Sequence, residues 1–175
     1  MPGTPAKFKV EWTKQGSGSY SVAGKTYDEM FAFFQKKNSS GEEWAKFSHE
    51  KPSLSFKPTN KDPITEVTLK VGYTITMPNW PGLNGASKKG KDAWNKMIKA
   101  LEKHEDHHRA ILEEQSDAFG KLVSKENDLT QKKLAQLFKD FPKDVKKAQD
   151  DYDTKTAHGE KEGVFLPAPD KVQGD

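Results

Sequence analysis

The sequence predicts an α+β protein in which a small, mainly antiparallel sheet from the N-terminal half packs on two long helices from the C-terminal half. Three observations carry that reading. Val67, Leu69, Val71, Tyr73, Ile75 and Met77 alternate with polar or small residues, a period of two that marks a strand with one buried face. Trp94, Met97, Leu101, His104, His108 and Ile111 recur at steps of three and four, the signature of one helix face, continued by Phe119 and Leu122. Leu134, Phe138, Phe141, Val145, Ala148 and Tyr152 do the same for a second helix.

Taken in order, "MPGTP" reads as a tail, and residues 168–175 as another, which leaves a single domain over residues 6–167. "KFKVEW" and "YSVAG" read as two short strands joined by the turn-like "KQGSGS". "TYDEMFAFFQKK" spaces Tyr27, Met30, Phe31 and Phe34 as one face of an amphipathic helix. Residues 38–63 hold several turn clusters around "SLSF", a short strand in an irregular connection. "EVTLKVGYTITM" is the alternating strand, and "PNWPGLNGAS" then interrupts regular structure with two prolines and two glycines. The first long helix runs from about Ser87 to Val123, although "SKKGK" puts lysines where the helix dipole disfavours them. Asp128 with Gln131 suggests a capping box opening the second, and Pro142 predicts a kink or break inside it. The final "HGEKEGVFLPAPDKVQGD" is punctuated by glycine and proline and is expected to lie over the surface.

Composition narrows the function classes. Hydrophobic residues make up 33% and charged residues 31%, but aromatics are spread along the chain, which argues for a folded core. The 29 basic and 26 acidic groups are interspersed, so no basic stripe exists to follow phosphates and nucleic-acid binding is not expected. Without cysteine, disulfides and thiolate metal centres are excluded. No apolar run reaches the ~18 residues needed to span a bilayer, so membrane insertion is not expected. The N-terminus has no apolar signal core either, so a secreted form would be a mature chain or one exported by another route.

The motif that carries chemistry is "HEDHH", in which His104, Glu105 and His108 form HExxH. Two histidines four residues apart on a helix differ by about 40° of rotation, so both imidazoles can converge on one cation. Neutral imidazoles suit Zn²⁺, which lowers the pKa of a bound water to about 7 and polarises a scissile carbonyl. Glu105 would take that water's proton and pass it to the leaving amine. A chain of this composition is expected to contain HExxH by chance roughly 0.01 times. Burying two histidines without partners would cost several kcal/mol, so their place on the apolar stripe favours a ligand role over a satisfied core. Asp106, His107 and Arg109 fall off the stripe and read as solvated or supporting residues.

A catalytic zinc needs a third protein ligand and an open position. Ile111 and Glu114 stand where the metzincin continuation needs glycine and histidine, which excludes that class. The remaining histidines are His49, in the irregular connection, and His158, just past the second helix; His158 is preferred. Glu113 and Glu114 fit by type but lie too far along the same helix to close a tetrahedron easily.

With "YSVAGKTYDEM", "VTLKVGYTITMPNW", "WNKMIKALEKHEDHHRAI" and "YDTKTAHGEKEGVFLP", the chain from about residue 18 to 167 resembles a family of bacterial proteins of unknown function described as predicted secreted zinc-dependent proteases. The resemblance implies a zincin-like, metallopeptidase-like domain, a secreted or periplasmic location, and His158 as third ligand, with Asp153 or Thr156 orienting an imidazole. The family commonly carries a small residue, often glycine, where this chain has His107.

The leading expectation is therefore a zinc metallopeptidase acting on a peptide or protein, with His104, His108 and His158 as ligands and Glu105 as general base; a monomer is assumed, since the sequence does not give the oligomeric state. Tyr152 is a candidate partner for the oxyanion, set against its plainer place as the last apolar residue of the second helix. The alternating strand before the metal helix is the candidate edge for a substrate strand, and Trp80 either lines a subsite or, more simply, caps the core. The alternatives are a zinc-stabilised binding or effector module without turnover, and a metal-dependent amidase acting on another amide such as a cell-wall peptide.

Overall fold

A computed structural model describes residues 3–172. It is α+β, with a four-stranded sheet from the N-terminal half and long helices in the C-terminal half. The strands are β1 (Lys7–Ser21), β2 (Lys46–His49), β3 (Ser53–Lys57) and β4 (Glu66–Asn79); the helices are α1 (Tyr27–Ser40), α2 (Lys88–Lys125) and α3 (Gln131–Thr156). Short 3-10 turns cover Pro81–Gly85, Glu160–Glu162 and Pro169–Lys171.

β4, the alternating segment, is the central strand. The order is β1-β4-β2, and β3 pairs antiparallel with β4 from Ser53 opposite Lys70 to Lys57 opposite Glu66. The Lys7 amide donates to the Thr65 carbonyl at one end of β1 and the Val22 amide to the Asn79 carbonyl at the other, so β1 runs parallel to β4 and the sheet is mixed. With partners on both sides, β4 offers no edge for a substrate strand. The sequence expectation on that point is overturned.

β1 also differs from its expected form. The composition of "KQGSGS" predicts a turn between two strands, but the strand is continuous for 15 residues, and Gly16 and Gly18 are not among the positive-φ glycines. Pairing with a 14-residue neighbour holds extended a stretch whose composition alone favours a turn.

Helix ends follow their local chemistry. Thr26 opens α1 with a capping box: its hydroxyl accepts from the Glu29 amide, and the Glu29 carboxylate accepts from the Thr26 amide. α2 starts because the Ser87 hydroxyl accepts from the Gly90 amide, which offsets the lysines of the first turn. α3 is capped by Thr130, whose hydroxyl accepts from the Lys133 amide, whereas Asp128, the expected cap, sits in the left-handed region at φ 54°. Helix α3 continues through Pro142 without a break.

Contacts gather the chain into two compact units, one drawn from residues up to 15, 48–73 and 108–151, the other from 16–47, 74–107 and 152 onward. In the first, Phe119 meets Phe8 edge-on at 5.8 Å and Phe141 at 5.3 Å, and a Cβ at Gly120 would run into the Phe8 ring, which explains a glycine inside α2. Pro5 bridges to Asn127 in this unit. In the second, Val22, Met30, Phe34, Trp80, Trp94 and Met97 form the core. Trp80 is 2% exposed there and donates to the Gly24 carbonyl, so it is a core residue and lines no subsite.

The C-terminal segment belongs to that same core. Val164, Leu166 and Val172 are buried, the Tyr27 hydroxyl donates to the Pro167 carbonyl, and the Ser87 hydroxyl donates to the Val172 carbonyl. The expectation that this segment lies over the surface is corrected: its glycines turn the chain inward instead of only ending regular structure. Of the expected tails, residues 1–2 and 173–175 lie outside the described residues.

Candidate metal centre

The apolar stripe of α2 is buried throughout, from Trp94, Met97 and Leu101 to Ile111. His104 and His108 share its phase and are 4% and 6% exposed, and Glu105 beside them is 4% exposed. Three titratable side chains this deeply enclosed on one helix turn are costly unless something holds them.

Both imidazoles are held at Nδ1. His104 Nδ1 lies 2.9 Å from Glu162 Oε2, and His108 Nδ1 is hydrogen-bonded to Gln149 Oε1. The Gln149 amide nitrogen donates in turn to the His108 backbone carbonyl at 2.9 Å. On its other side, His104 Nε2 faces Asp153 Oδ1 at 3.3 Å. His104, His108 and Asp153 each offer one ligand atom, all within 4.8 Å of one another, and form a group that could hold a metal ion.

The tight turn after α3 explains "YDTKTAHG". The buried Thr156 hydroxyl donates to the Tyr152 carbonyl and accepts from the Gly159 amide, so it closes the helix and orients no imidazole. Ala157 and His158 both adopt φ of 52°, and Gly159 follows at 85°. A Cβ on Gly159 would stand 2.7 Å from Val164 and 3.2 Å from the His104 ring, so the chain can pass the imidazole this closely only as glycine. Three residues on, Glu162 arrives at His104.

Tyr152 is stacked on the His104 ring at 4.9 Å and on the His107 ring at 4.1 Å, and its hydroxyl donates to Glu162 Oε2 at 2.7 Å. His107 thus covers Tyr152 as a flat lid. Burial, then the bond to Glu162, raises the Tyr152 pKa far above its ordinary value and keeps the hydroxyl a neutral donor.

Electrostatics of the metal-free site follow from these contacts. Burial alone would depress His104, but the bonds with Asp153 and Glu162 and the charge of Glu105 carry it above its ordinary value. Burial opposes ionisation of Glu162, while the bonds from His104 and Tyr152 hold it below the usual carboxylate range.

The structure brings His104, Glu105 and His108 onto one buried turn and adds Asp153, which the resemblance implies only as an orienting partner. The His158 side chain is 72% exposed, with Nδ1 4.0 Å from Asp153 Oδ1. Glu162 and Gln149 were missed. Gln149 carried a signal, since it follows Val145 by four and precedes Tyr152 by three on the buried face of α3. Glu162 carried none, because it lies in a segment with no period.

Two imidazoles held at Nδ1 and the Asp153 carboxylate beside His104 Nε2 make up the group that could hold a metal ion. Among the described residues no helix is long and apolar enough to cross a membrane. No curated protein and no solved structure matches the chain. The family model described as "Bacterial protein of unknown function (DUF922)" matches residues 18–159, most of the chain and the whole of the site up to Gly159, and the protein belongs to that family.

Proposed function

We propose that the protein is a zinc-dependent metallopeptidase. The observation that carries this reading is the placement of a buried glutamate beside two buried imidazoles whose Nδ1 atoms are already held, all on one turn of α2. A bound zinc would supply Lewis acidity towards a peptide carbonyl and acidify a water.

His104 and His108 would present Nε2, and Asp153 would complete the protein ligands. Glu105, next in the chain to His104 and equally buried, would accept a proton from water and return it to the leaving amine. Tyr152 supports the site through Glu162, which its hydroxyl already serves, and this favours a positioning role over contact with an oxyanion. His158, to which the family pattern points, would have to turn inward to ligate; its exposure and its contact with Asp153 favour a place at the rim.

The test is Glu105→Gln. It should keep the metal and lose peptide hydrolysis, by at least ~100-fold if general-base catalysis is its role. Equal hydrolysis by the variant would overturn the assignment. A wild type that binds zinc yet cleaves neither peptides nor a cell-wall peptide amide would instead favour the zinc-stabilised module; cleavage of the latter alone would favour the amidase.

A further inference from the structure

Asn84 and Gly85 end the 3-10 turn Pro81–Gly85 that joins β4 to α2. We propose that this pair is a self-modification site, at which Asn84 deamidates without an enzyme through attack by the Gly85 backbone nitrogen, and that one of the two products loosens the start of α2.

Gly85 is a glycine that the fold does not require. It is not among the positive-φ glycines, and a Cβ built on it would meet nothing within 4 Å, whereas one on Gly120 would run into the Phe8 ring and one on Gly159 would crowd Val164 and the His104 ring. Neither backbone conformation nor packing selects it. What a glycine does there is leave its own nitrogen unshielded towards the residue before it. Of the chain's asparagines, Asn84 alone precedes a glycine. Both residues are exposed, and the Asn84 side chain has no hydrogen-bond partner among the described residues. Asn38, by contrast, accepts from the Trp44 indole at 2.6 Å. A short 3-10 turn has poor hydrogen-bond geometry, and surface turns open at little free-energy cost, which brings the ring-closing conformation within reach.

The chemistry needs only water. The Gly85 nitrogen forms a bond to the Asn84 side-chain carbonyl carbon, the bond from that carbon to the amide nitrogen breaks, and the proton from Gly85 leaves with the amide as ammonia. Water then opens the cyclic imide at either carbonyl. One product is aspartate on the original chain path; the other is isoaspartate, whose main chain runs through the former side-chain methylene.

Both products place a carboxylate just ahead of α2, where the helix dipole and the charges of Lys88 and Lys89 favour it. Isoaspartate also lengthens the main chain inside a turn closed by the Ala86 amide, which donates to the Leu83 carbonyl at 3.2 Å, and Leu83 and Ala86 both pack on the core. Ser87, next in the chain, caps the first turn of α2 and donates to the Val172 carbonyl. A longer main chain at Asn84 therefore pulls on the cap and on the contact to the C-terminal segment.

The test incubates the full wild-type chain, Gly85→Ala and a free peptide of residues 80–87 in mildly alkaline buffer, and follows deamidation at each asparagine by peptide mass spectrometry, with isoaspartate told from aspartate by fragmentation. Expected are conversion at Asn84 before any other asparagine, within ~10-fold of the peptide's rate, and loss of most of the product in Gly85→Ala, whose Cβ fits the fold but crowds the attacking nitrogen. Slower conversion than that, conversion first at another asparagine, or an undiminished rate in Gly85→Ala overturns the proposal. Urea unfolding separates charge from chain length: Asn84→Asp should keep or raise the wild-type midpoint, and the purified isoaspartyl form should lower it. An isoaspartyl form as stable as the wild type overturns the link to α2.

Discussion

At the scale of single residues, the metal-free and zinc-loaded sites make opposite demands on His104. Metal-free, its protonated form is favoured by Asp153, Glu162 and Glu105 against the opposing burial, and Glu162 is favoured as the anion. The protonated histidine contributes fully below its ordinary value of 6.5 and is lost as pH rises through its higher folded value. The carboxylate contributes fully above its ordinary 4.5 and is lost as pH falls. Metal-free stability from this pair is thus greatest between those two values and declines on either side of them. Zinc needs the neutral imidazole, so its added stability grows as pH rises. Urea midpoints at ~pH 6 and ~pH 8 should fall with pH in chelator and rise with pH in zinc; the same slope in both would refute the coupling. Gly159 gives a second check. Alanine there meets Val164 and the His104 ring in a left-handed backbone, and should cost ~1–3 kcal/mol in urea unfolding and weaken zinc binding with it. The HExxH triplet was legible because its phase on α2 continues the apolar stripe. Glu162 as a clamp was not, because it depends on a turn at residues 157–159 whose path no periodicity encodes, and Asp153 as a ligand candidate was not, because its closeness to His104 comes from tertiary packing of the last turn of α3.

At the scale of elements, the long helices and β4 could be read from the sequence because the patterns that build them are local. β1 could not be read whole, since only its distant neighbour β4 keeps "GSGS" extended. β2, four residues long in a connection rich in turn residues, left no period to read. The start of α2 turned on a single hydroxyl. Ser87→Ala removes the bond from the Gly90 amide and the one to the Val172 carbonyl, and should lower stability by ~1 kcal/mol. Pro142 gives the opposite expectation: α3 passes through it without a break, so Pro142→Ala restores a backbone donor and should raise stability by ~1–3 kcal/mol, read as a shifted urea midpoint. An unchanged or lowered midpoint would mean that the helix has adapted around the ring.

At the scale of the whole molecule, the α+β class followed from the order of patterns along the chain, strands first and helices after, while the place of the C-terminal segment did not. Three apolar residues after Gly163 enter the core formed with residues of α1 and α2, and in doing so they bring Glu162 back to His104. Metal and fold should therefore be linked: zinc at 100 times its dissociation constant should add about 2.7 kcal/mol to unfolding. On the proposed ligand set, Asp153→Ala should lose most of that effect and His158→Ala should keep it. The most direct single measurement is zinc per chain, by plasma emission spectrometry, on folded wild type beside His108→Ala. The account predicts about one equivalent in the wild type and a clear loss in the variant. A folded wild type that takes up no added zinc would contradict it and return the buried histidines to a purely structural role.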